Sequence, residues 1–551
     1  MPTITFSLKD LNALVGKKLS LEELKDLVEY GKGEYDGYDK ETDEVSVSFG
    51  DTNLPYLWSI EGIARLLKGL IGKQKGIPPL KINKSDYKVI VDKSVDKIRP
   101  YVVAFVAKGR KVDDYLIKQI IQLQEKLCEN YGRRREKVAI GIYSYKKINF
   151  PVHYKATEPE SVKFIPLEFR KEMTQQEILE EHPKGKEYAW ILEGKKKYPI
   201  LIDSKDQVLS FPPIINSNIT GKVEENEQDL FFEATGTDMD ALLLSANIFA
   251  QALYERGFSI CSVDVKYPTK TITTPHLFNE TIKISAEQVE KLLGLGLKDT
   301  EIKKLLEKLQ YDYSNGTVKI PHYRRDILHP VDIIEDIGTA YGYKKIEELP
   351  LKSYTIGKTT PLVKFIDKAR DIIAGLGYQE VISPILTNKS FLYENMNIED
   401  FGTVEISEYM SESYSCIRTW ILPILLEVLS KNKHIEYPQK IFEQGLVSTR
   451  KNETITDYER IAVASAHDGV DFTEIKQVLD SLMRMLDVKY EIEETDNDAF
   501  IPGRVGRVIV NGKKIAFVGE IAPKVLDNWK IEVPVAGFEL NLSELFEGMN
   551  K

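Results

Sequence analysis

The stretch PHYRRDILHPVDIIEDIGTAYGY, at residues 321–343, determines how the rest of the chain is interpreted. A short apolar strand is predicted at residues 318–320, and a helix is predicted from Pro330 because the fixed φ of proline suits a first helical turn. Asp326 lies just upstream of that helix and can fold back onto it. The spacing i, i+3 and i+4 brings three further carboxylates to one helix face: Asp332, Glu335 and Asp336.

Two interpretations of this acidic face stay open. Acidic side chains are common in the first turn of a helix, where the positive end of the helix dipole stabilises them. The other faces of the helix are apolar and predicted to be buried, and a partly buried group of carboxylates requires a cation. A hard divalent ion with oxygen ligands, Mg²⁺ first, meets that requirement. The spacing alone supports both a bound metal and simple helix capping.

The same segment resembles a known signature. Its RRD at residues 324–326, the acidic helix and the closing YGY at residues 341–343 match the pattern RxD…DxxED…YGY of the phenylalanyl-tRNA synthetase beta subunit. In that family four acids bind Mg²⁺. The resemblance therefore implies a magnesium site with four ligands: Asp326, Asp332, Glu335 and Asp336.

Length and composition predict a multidomain globular protein. The chain has 551 residues, 42% of them hydrophobic and 29% charged, which at about 100–200 residues per domain gives three to five domains. No run approaches the roughly 18 apolar residues of a membrane span, and the N-terminus lacks the features of a signal peptide. Three widely spaced cysteines favour a reducing cytoplasm. With a net charge of −10, a nucleic-acid partner would need local basic patches.

Residues 1–83 are predicted to form a small α/β domain. Alternating apolar residues at 44–49 indicate a strand, and apolar residues at helical spacing within 60–70 indicate an amphipathic helix. Between them, DTNLPYLWS at residues 51–59 resembles the DTNRPDLWS box of the same family, with leucine and tyrosine replacing its arginine and second aspartate. We interpret this box as a structural turn and assign it no catalysis.

Residues 84–270 contain the basic runs of the chain. GRRREK at residues 132–137 and KKK at residues 195–197 are interpreted as solvated surfaces, with contact to a phosphate backbone as the alternative. The same region has FPPIIN at residues 211–216, then TGT at residues 235–237 at the end of a predicted strand, then a helix. This order resembles the editing domain of the family.

The resemblance implies a hydrolytic pocket with four lining residues: Leu201, Ser210, Glu233 and Thr235. Archaeal-type members have aspartate at the position of Glu233, so this chain keeps the charge on a side chain one methylene longer. The hydroxyls of Ser210 and Thr235 are also explained by turns or helix caps, and the sequence does not decide between the two interpretations.

Residues 271–350 combine two short helices with the acidic segment. The order helix, glycine turn, helix and β turn at Asn315-Gly316 is typical of a winged-helix scaffold, which by itself suggests DNA binding. The second helix, TEIKKLLEKLQ at residues 300–310, has few polar side chains that could contact bases. A scaffold is therefore predicted.

Residues 351–551 resemble a degenerate class II aminoacyl-tRNA synthetase domain. The helix and strand at 361–384 resemble its first motif, which builds a subunit interface. Residues 418–443 resemble the second motif, but Ile441 stands at the position of the ATP-binding arginine. The third motif is a strand leading into a glycine-rich helix with an arginine. The equivalent residues 534–542 show neither the glycine-rich helix nor the arginine. The chain is thus predicted to lack a synthetic active site.

These resemblances span nearly the whole chain. They predict a multidomain fold of α/β and α+β domains: an N-terminal α/β domain (1–83), an editing domain (84–270), a winged-helix-like domain with the acidic cluster (271–350) and an inactive class II synthetase-like antiparallel sheet domain (351–551). The chain is identified as a member of the phenylalanyl-tRNA synthetase beta subunit family, of the shorter archaeal and eukaryotic type.

Family membership implies a function and partners. The expected partner is a catalytic alpha subunit in an α₂β₂ tetramer, a phenylalanine–tRNA ligase that uses ATP and Mg²⁺ to charge tRNA(Phe) in the cytoplasm. This chain is expected to bind tRNA and to hydrolyse mischarged Tyr-tRNA(Phe), and to bind neither DNA nor a membrane. Proofreading is needed because an apolar pocket rejects an added hydroxyl by only about 10². A free-standing aminoacyl-tRNA deacylase and a winged-helix DNA-binding regulator stay open as alternatives.

Overall fold

The computed structural model describes residues 2–549 of the chain. These residues divide into two compact units, the first ending at Leu349 and the second beginning at Pro350, and each unit has apolar cores of its own. The first unit combines mixed and antiparallel sheets with helices, and the second is built on a largely antiparallel sheet.

The N-terminal part of the first unit is a three-stranded antiparallel sheet with helices packed on it. Its elements are β1 (Thr3–Ser7), α1 (Leu8–Val15), α2 (Leu21–Val28), β2 (Gly33–Asp39), β3 (Glu44–Phe49) and α3 (Ile60–Leu70). The strand order is β1-β3-β2. Serine hydroxyls begin all three helices, since Ser7, Ser20 and Ser59 each accept a backbone N–H of the following first turn.

An eleven-stranded mixed sheet forms the middle of the first unit. Its strands are β4 (Ile82–Asn83), β5 (Lys88–Val91), β6 (Tyr101–Lys108), β7 (Val138–Ser144), β8 (Val152–Thr157), β11 (Tyr198–Ile202), β12 (Val208–Phe211), β13 (Ile215–Asn216), β14 (Leu230–Gly236), β15 (Ser259–Lys266) and β16 (Thr271–Thr274). The order is β13-β12-β11-β8-β5-β15-β6-β14-β7, and β4 and β16 also pair with β15. A separate two-stranded sheet joins β9 (Lys163–Phe164) and β10 (Met173–Thr174).

Helices cover this sheet. They are α4 (Asp114–Lys126), which continues as a π-helical turn (Leu127–Tyr131), α5 (Gln175–Glu181), α6 (Pro183–Tyr188) and α7 (Met239–Glu255). Asp238 caps α7, as its position predicts, by accepting the N–H of Ala241 at 3.0 Å. Strand β14 is buried along its whole length, which is typical of a central strand with both faces covered.

The last part of the first unit has three helices and a small sheet. Its elements are β17 (Thr281–Lys283), α8 (Ala286–Leu293), α9 (Asp299–Lys308), β18 (Asp312–Ser314), β19 (Thr317–Lys319) and α10 (Pro330–Tyr341), with strand order β17-β19-β18. The predicted helix from Pro330 is confirmed. Its apolar side chains, with those of α8 and α9, form a core of their own.

The second unit is a seven-stranded sheet with an apolar core on each face. Its elements are α11 (Pro361–Gly375), β20 (Gln379–Glu380), β21 (Leu386–Thr387), β22 (Val404–Glu405), β23 (Cys416–Ile417), α12 (Leu422–Lys431), β24 (Gln439–Lys451), β25 (Thr454–Ala466), α13 (Phe472–Met485), β26 (Glu491–Glu494), β27 (Phe500–Val510), β28 (Lys513–Ile521), α14 (Pro523–Trp529), β29 (Val535–Asn541) and α15 (Leu542–Met549). The order is β20-β24-β25-β29-β28-β27-β26, and only the β20–β24 pair among its described strands is parallel. A further sheet has the order β21-β23-β22.

One expectation for the second unit is wrong. A helix was not predicted after residue 541, but β29 leads directly into α15. The side chain of Asn541 begins this helix by accepting the N–H of Glu544 at 3.1 Å. The predicted absence of an arginine holds, since the sequence of α15 is LSELFEGM. Across residues 2–549, the structure shows no helix long and apolar enough to cross a membrane.

Candidate functional site

A cavity of about 460 Å³ opens between the large sheet and the loop after β12, and we name it the Glu233 pocket. Three of the four predicted residues line it, namely Ser210, Glu233 and Thr235. Leu201 is not among its lining residues; it is fully buried and pairs with Ser210 across β11 and β12. The walls also include apolar side chains: Ile140, Ile142, Phe211 and Ile214.

Strand pairing explains why these residues meet. Glu233 and Thr235 are two apart on β14, so their side chains lie on the same face of the sheet. Gly141 of β7 lies opposite Glu233. A Cβ added at Gly141 would lie 2.2 Å from the Tyr143 hydroxyl and 2.5 Å from Glu233 Oε1, so only glycine leaves room for these two groups to meet.

Glu233 is the chemically distinctive group of the pocket. Its side chain is 3% exposed. The Tyr143 hydroxyl donates to Oε1 at 2.8 Å, whereas Oε2 has no hydrogen-bond partner within residues 2–549. Burial raises the pKa of Glu233 to about 7, and the Tyr143 hydrogen bond and the charge of Arg99 oppose that rise. A carboxylate with one free oxygen inside an apolar cavity favours a ligand that donates a hydrogen bond.

Thr235 is held by a buried arginine. Arg99 Nε donates to the Thr235 hydroxyl at 3.0 Å, and its Nη2 donates to the Thr235 carbonyl at 2.5 Å. A third bond, from Nη1 to the Glu136 carbonyl at 2.9 Å, completes the anchoring. Burial lowers the pKa of Arg99 from its usual value, but the neighbouring charges and hydrogen bonds stabilise the guanidinium. Arg99 thus fixes the strand end that carries Glu233.

Sequence reasoning missed Tyr143 and Arg99. Tyr143 lies near the end of β7, which runs to Ser144. The only available signal was a glycine two residues before a tyrosine in a strand, because that spacing puts Gly141 and Tyr143 on one face. Arg99 lies in a loop 136 residues before Thr235, and nothing in the sequence links the two.

The acidic segment has a different arrangement from the predicted one. Arg324 is buried between Asp326 and Asp336: its Nη1 donates to Asp336 Oδ2 at 2.6 Å, and its Nε donates to Asp326 Oδ1 at 3.0 Å. Asp336 also accepts the hydroxyl of Tyr311 at 2.5 Å. The neighbouring carboxylates raise the pKa of Arg324 further above its usual range, against the effect of burial.

The other two acids have separate roles. Asp332 Oδ2 accepts the N–H groups of Leu328 and His329 at 2.7 and 2.8 Å, which is helix capping. Glu335 is half exposed and lies 2.8 Å from Lys32 Nζ. Nowhere in residues 2–549 are three or more His, Cys, Asp or Glu side chains grouped so that they could hold a metal. In this arrangement the four residues do not fit a four-carboxylate magnesium site.

The region that resembles the second synthetase motif has an internal ion pair. Arg418 Nη1 lies 2.6 Å from Glu443 Oε1, and both side chains are 2% exposed. Glu443 also accepts the hydroxyl of Ser383 at 2.6 Å. A Cβ at Gly445 would lie 2.2 Å from Arg418 Nη2, so glycine makes room for the buried guanidinium. The guanidinium of Arg418 is therefore buried and paired inside the protein.

Comparison with known proteins identifies the family. Two family models match, the tRNA synthetase B5 domain over residues 282–343 and the phenylalanyl tRNA synthetase beta chain CLM domain over residues 346–542. The chain is 44% identical to the phenylalanine–tRNA ligase beta subunit of Pyrococcus furiosus and 45% identical to that of Pyrococcus horikoshii, covering 99% of this chain and 100% of each relative. The beta subunit of Archaeoglobus fulgidus is 41% identical over 92% of both chains.

A solved structure agrees with these matches. The crystal structure of an N-terminal fragment of the phenylalanyl-tRNA synthetase beta subunit from Pyrococcus horikoshii has a TM-score of 0.60 and 44% sequence identity, covering 62% of this chain and 100% of the fragment. Both matching family models describe domains of tRNA synthetases. The chain belongs to the phenylalanine–tRNA ligase beta subunit family, which confirms the resemblance found in the sequence.

Proposed function

We propose that this chain is the proofreading subunit of a phenylalanine–tRNA ligase and hydrolyses Tyr-tRNA(Phe) in the Glu233 pocket. The observation that carries this proposal is the buried carboxylate oxygen, Glu233 Oε2, that has no partner in the described residues. It can accept the phenol O–H of tyrosine. Phenylalanine offers no donor and would leave the buried charge uncompensated, so Phe-tRNA is spared.

The remaining walls suit an aromatic amino acid. Apolar side chains such as Ile142, Phe211 and Ile214 can pack against the ring, and a volume of about 460 Å³ is within the usual range for ligand pockets. The hydroxyls of Ser210 and Thr235 can position the ester and a water molecule. Because an aminoacyl ester is already activated, an oriented water suffices for hydrolysis. Leu201 packs behind the pocket and supports β12.

We infer that attachment of phenylalanine to tRNA, with ATP and Mg²⁺, takes place on an alpha subunit in a cytoplasmic α₂β₂ tetramer. The support is that Arg418 is paired inside the protein and that α15 has no arginine for ATP phosphate. The second unit then serves in assembly and tRNA support. Magnesium binding by Asp326, Asp332, Glu335 and Asp336 stays a prediction, and no step of this proposal depends on it.

The assembly is tested by co-expression with a candidate alpha subunit and mass measurement of the product. We expect an α₂β₂ complex, and no ATP–pyrophosphate exchange by the isolated folded chain. A lone monomer that hydrolyses Tyr-tRNA would instead identify a free-standing deacylase. Exchange by the isolated chain would contradict the inference that it lacks a synthetic site.

The editing proposal is tested by Glu233→Ala in the assembled complex. A hydrogen bond to a charged group contributes about 1.5–3 kcal/mol, and about 1.4 kcal/mol is tenfold in rate, so release of tyrosine from Tyr-tRNA(Phe) should fall roughly 10- to 100-fold. Attachment of phenylalanine should not change. The rate for Glu233→Asp should lie between those of the wild type and Glu233→Ala. Glu160→Ala, which removes an exposed acid of the same domain, is the matched control. Wild-type release by Glu233→Ala would refute the proposal.

A further inference from the structure

Three consecutive arginines adopt a left-handed backbone conformation. The φ angles of Arg133, Arg134 and Arg135 are 50°, 51° and 67°, values that residues other than glycine rarely adopt. The conformation is held by the end of the preceding helix, since the N–H groups of Arg134 and Arg135 donate to the carbonyls of Glu129 and Cys128, both at 3.0 Å. Such outliers persist only where the surrounding structure enforces them, and they are concentrated at functional sites. We name residues 133–135 the arginine turn.

The arginine turn distributes its three side chains around the Glu233 pocket. Arg135 lines the pocket itself, and its Nη1 donates to the carbonyl of Ile214 at 3.0 Å. The guanidinium of Arg134 lies 5.9 Å from the ring centre of Trp190. Arg133 lines a second cavity, of about 550 Å³. The turn thus forms the boundary between the pocket and a basic surface.

This surface has unpaired cations beside an exposed aromatic ring. Arg133 and Arg134 are exposed, and neither side chain forms an ion pair within residues 2–549. Trp190 is 42% exposed. In proteins that bind single-stranded nucleic acid, an aromatic ring stacks on a base while nearby cations attract the phosphates. The second cavity is also lined by Lys137 and Arg325, but these two are paired with Asp238 and Asp240, so the free positive charge of this surface is that of Arg133 and Arg134.

We propose that the arginine turn and Trp190 bind the single-stranded 3′ end of an aminoacyl-tRNA whose amino acid occupies the Glu233 pocket. The inference rests on the proposed editing function, because an aminoacyl group inside the pocket leaves the terminal nucleotides at its mouth. One base stacks on the free face of Trp190, while Arg133 and Arg134 contact phosphates. Glu125 and Glu168 also line the pocket and disfavour phosphates beside them, so the RNA backbone passes along the arginine turn.

The first test uses the assembled complex and measures kcat/KM for release of tyrosine from Tyr-tRNA(Phe) at several salt concentrations. For Arg133→Gln/Arg134→Gln we expect kcat/KM to fall roughly tenfold or more at low salt. A plot of log kcat/KM against log salt has a negative slope, and the variant's slope should be shallower by about 1.4, since each of the two lost phosphate contacts of a single strand contributes about 0.7. The matched control is Lys303→Gln/Lys304→Gln, which removes two exposed charges from α9 and should change neither quantity.

Trp190 is tested by substitution with alanine and phenylalanine. Trp190→Ala should lower kcat/KM roughly tenfold, and Trp190→Phe should restore most of it, because every aromatic face can stack on a base. Attachment of phenylalanine by the same complexes should not change, which shows that tRNA and assembly are intact. The inference would be overturned if Trp190→Ala and Trp190→Phe lowered kcat/KM equally, or if the salt slope of Arg133→Gln/Arg134→Gln equalled that of the wild type.

A photocrosslink separates this inference from the editing proposal. tRNA(Phe) with a photoreactive 3′-terminal adenosine should label peptides containing residues 131–137 or 188–192 in the wild-type complex and lose that labelling in the variants. If the label forms but no tyrosine is released, editing fails while the RNA contact stands. If tyrosine is released but no label forms at these residues, the RNA contact alone is refuted.

Discussion

Replacing Tyr143 with phenylalanine isolates what its hydroxyl does for Glu233. The hydroxyl donates to Glu233 Oε1 at 2.8 Å, and both side chains are buried. This bond favours the ionised carboxylate, against the burial that raises the pKa of Glu233 to about 7. A hydrogen bond to a charged group contributes about 1.5–3 kcal/mol, and one pH unit corresponds to about 1.4 kcal/mol. Glu233 should therefore titrate about one to two pH units higher in the variant.

The assay is the pH dependence of kcat/KM for release of tyrosine from Tyr-tRNA(Phe), because kcat/KM reports the ionisation of the free enzyme. In the wild type, kcat/KM should rise with the ionised fraction of Glu233 as the pH passes through about 7. In Tyr143→Phe the same rise should occur at higher pH. At neutral pH the variant should be roughly tenfold slower, and the difference should shrink as the pH rises. Blanks without enzyme correct for hydrolysis by hydroxide.

Tyr145→Phe is the matched control. It removes the same kind of hydroxyl from a neighbouring residue, but the hydroxyl of Tyr145 bonds to that of Tyr87 at 2.8 Å and not to Glu233. Its pH profile should equal that of the wild type. If Tyr143→Phe lost activity equally at every pH, or kept the wild-type profile, the argument that Tyr143 sets the charge of Glu233 would be refuted.

Three further predictions concern stability. Glu233→Gln should raise the thermal unfolding temperature more at pH 8 than at pH 5. Burial raises the pKa of the wild-type Glu233 from 4.5 to about 7, so between these pH values the folded state keeps a proton that the unfolded state loses. The free energy of unfolding of the wild type therefore falls by about 3 kcal/mol as the pH rises through that window. Asp336→Asn should lower the free energy of unfolding, measured in urea, by about 3–5 kcal/mol, because the buried Arg324 loses a partner. The loss should be the same in EDTA and in Mg²⁺, and a loss seen only with Mg²⁺ would indicate metal binding instead. Arg418→Met should lower the free energy of unfolding by a similar amount, because it leaves the buried Glu443 without its partner. Adding Glu443→Leu removes that unpaired charge and should recover part of the lost stability. No recovery in the double variant would contradict this account of the pair.

The sequence predicted the elements of the Glu233 pocket better than its chemistry. A predicted strand that ends in TGT and is followed by a helix indicated part of its frame, and family resemblance indicated Ser210, Glu233 and Thr235. The partners that set the charge could not be predicted. Tyr143 and Arg99 are 90 and 136 residues from the groups they contact, Glu233 and Thr235, and only the pairing of β14 with β7 and β6 brings these regions together.

For the acidic segment, the sequence predicted the helix but not the partners of its acidic side chains. The start of α10 at Pro330 was predicted correctly, but a shared helix face does not mean a shared ligand. Arg324 stands only two residues before Asp326, and it pairs with that residue and with Asp336. The spacing of the acids gave no information on this cation, because an arginine next to an acid in a loop has no fixed direction. Glu335 in turn pairs with Lys32, 303 residues away.

Comparison of the buried carboxylates supports the role that we propose for Glu233. Six acidic side chains are buried within residues 2–549: Glu61, Asp203, Glu233, Glu443, Glu520 and Glu539. Four of them pair with an arginine, and Asp203 accepts hydrogen bonds on both oxygens. Glu233 alone of the six has a buried oxygen without a partner. An unpaired buried carboxylate costs stability, and the fold satisfies the other five but not Glu233. This contrast supports the proposal that a ligand supplies the missing donor to Glu233.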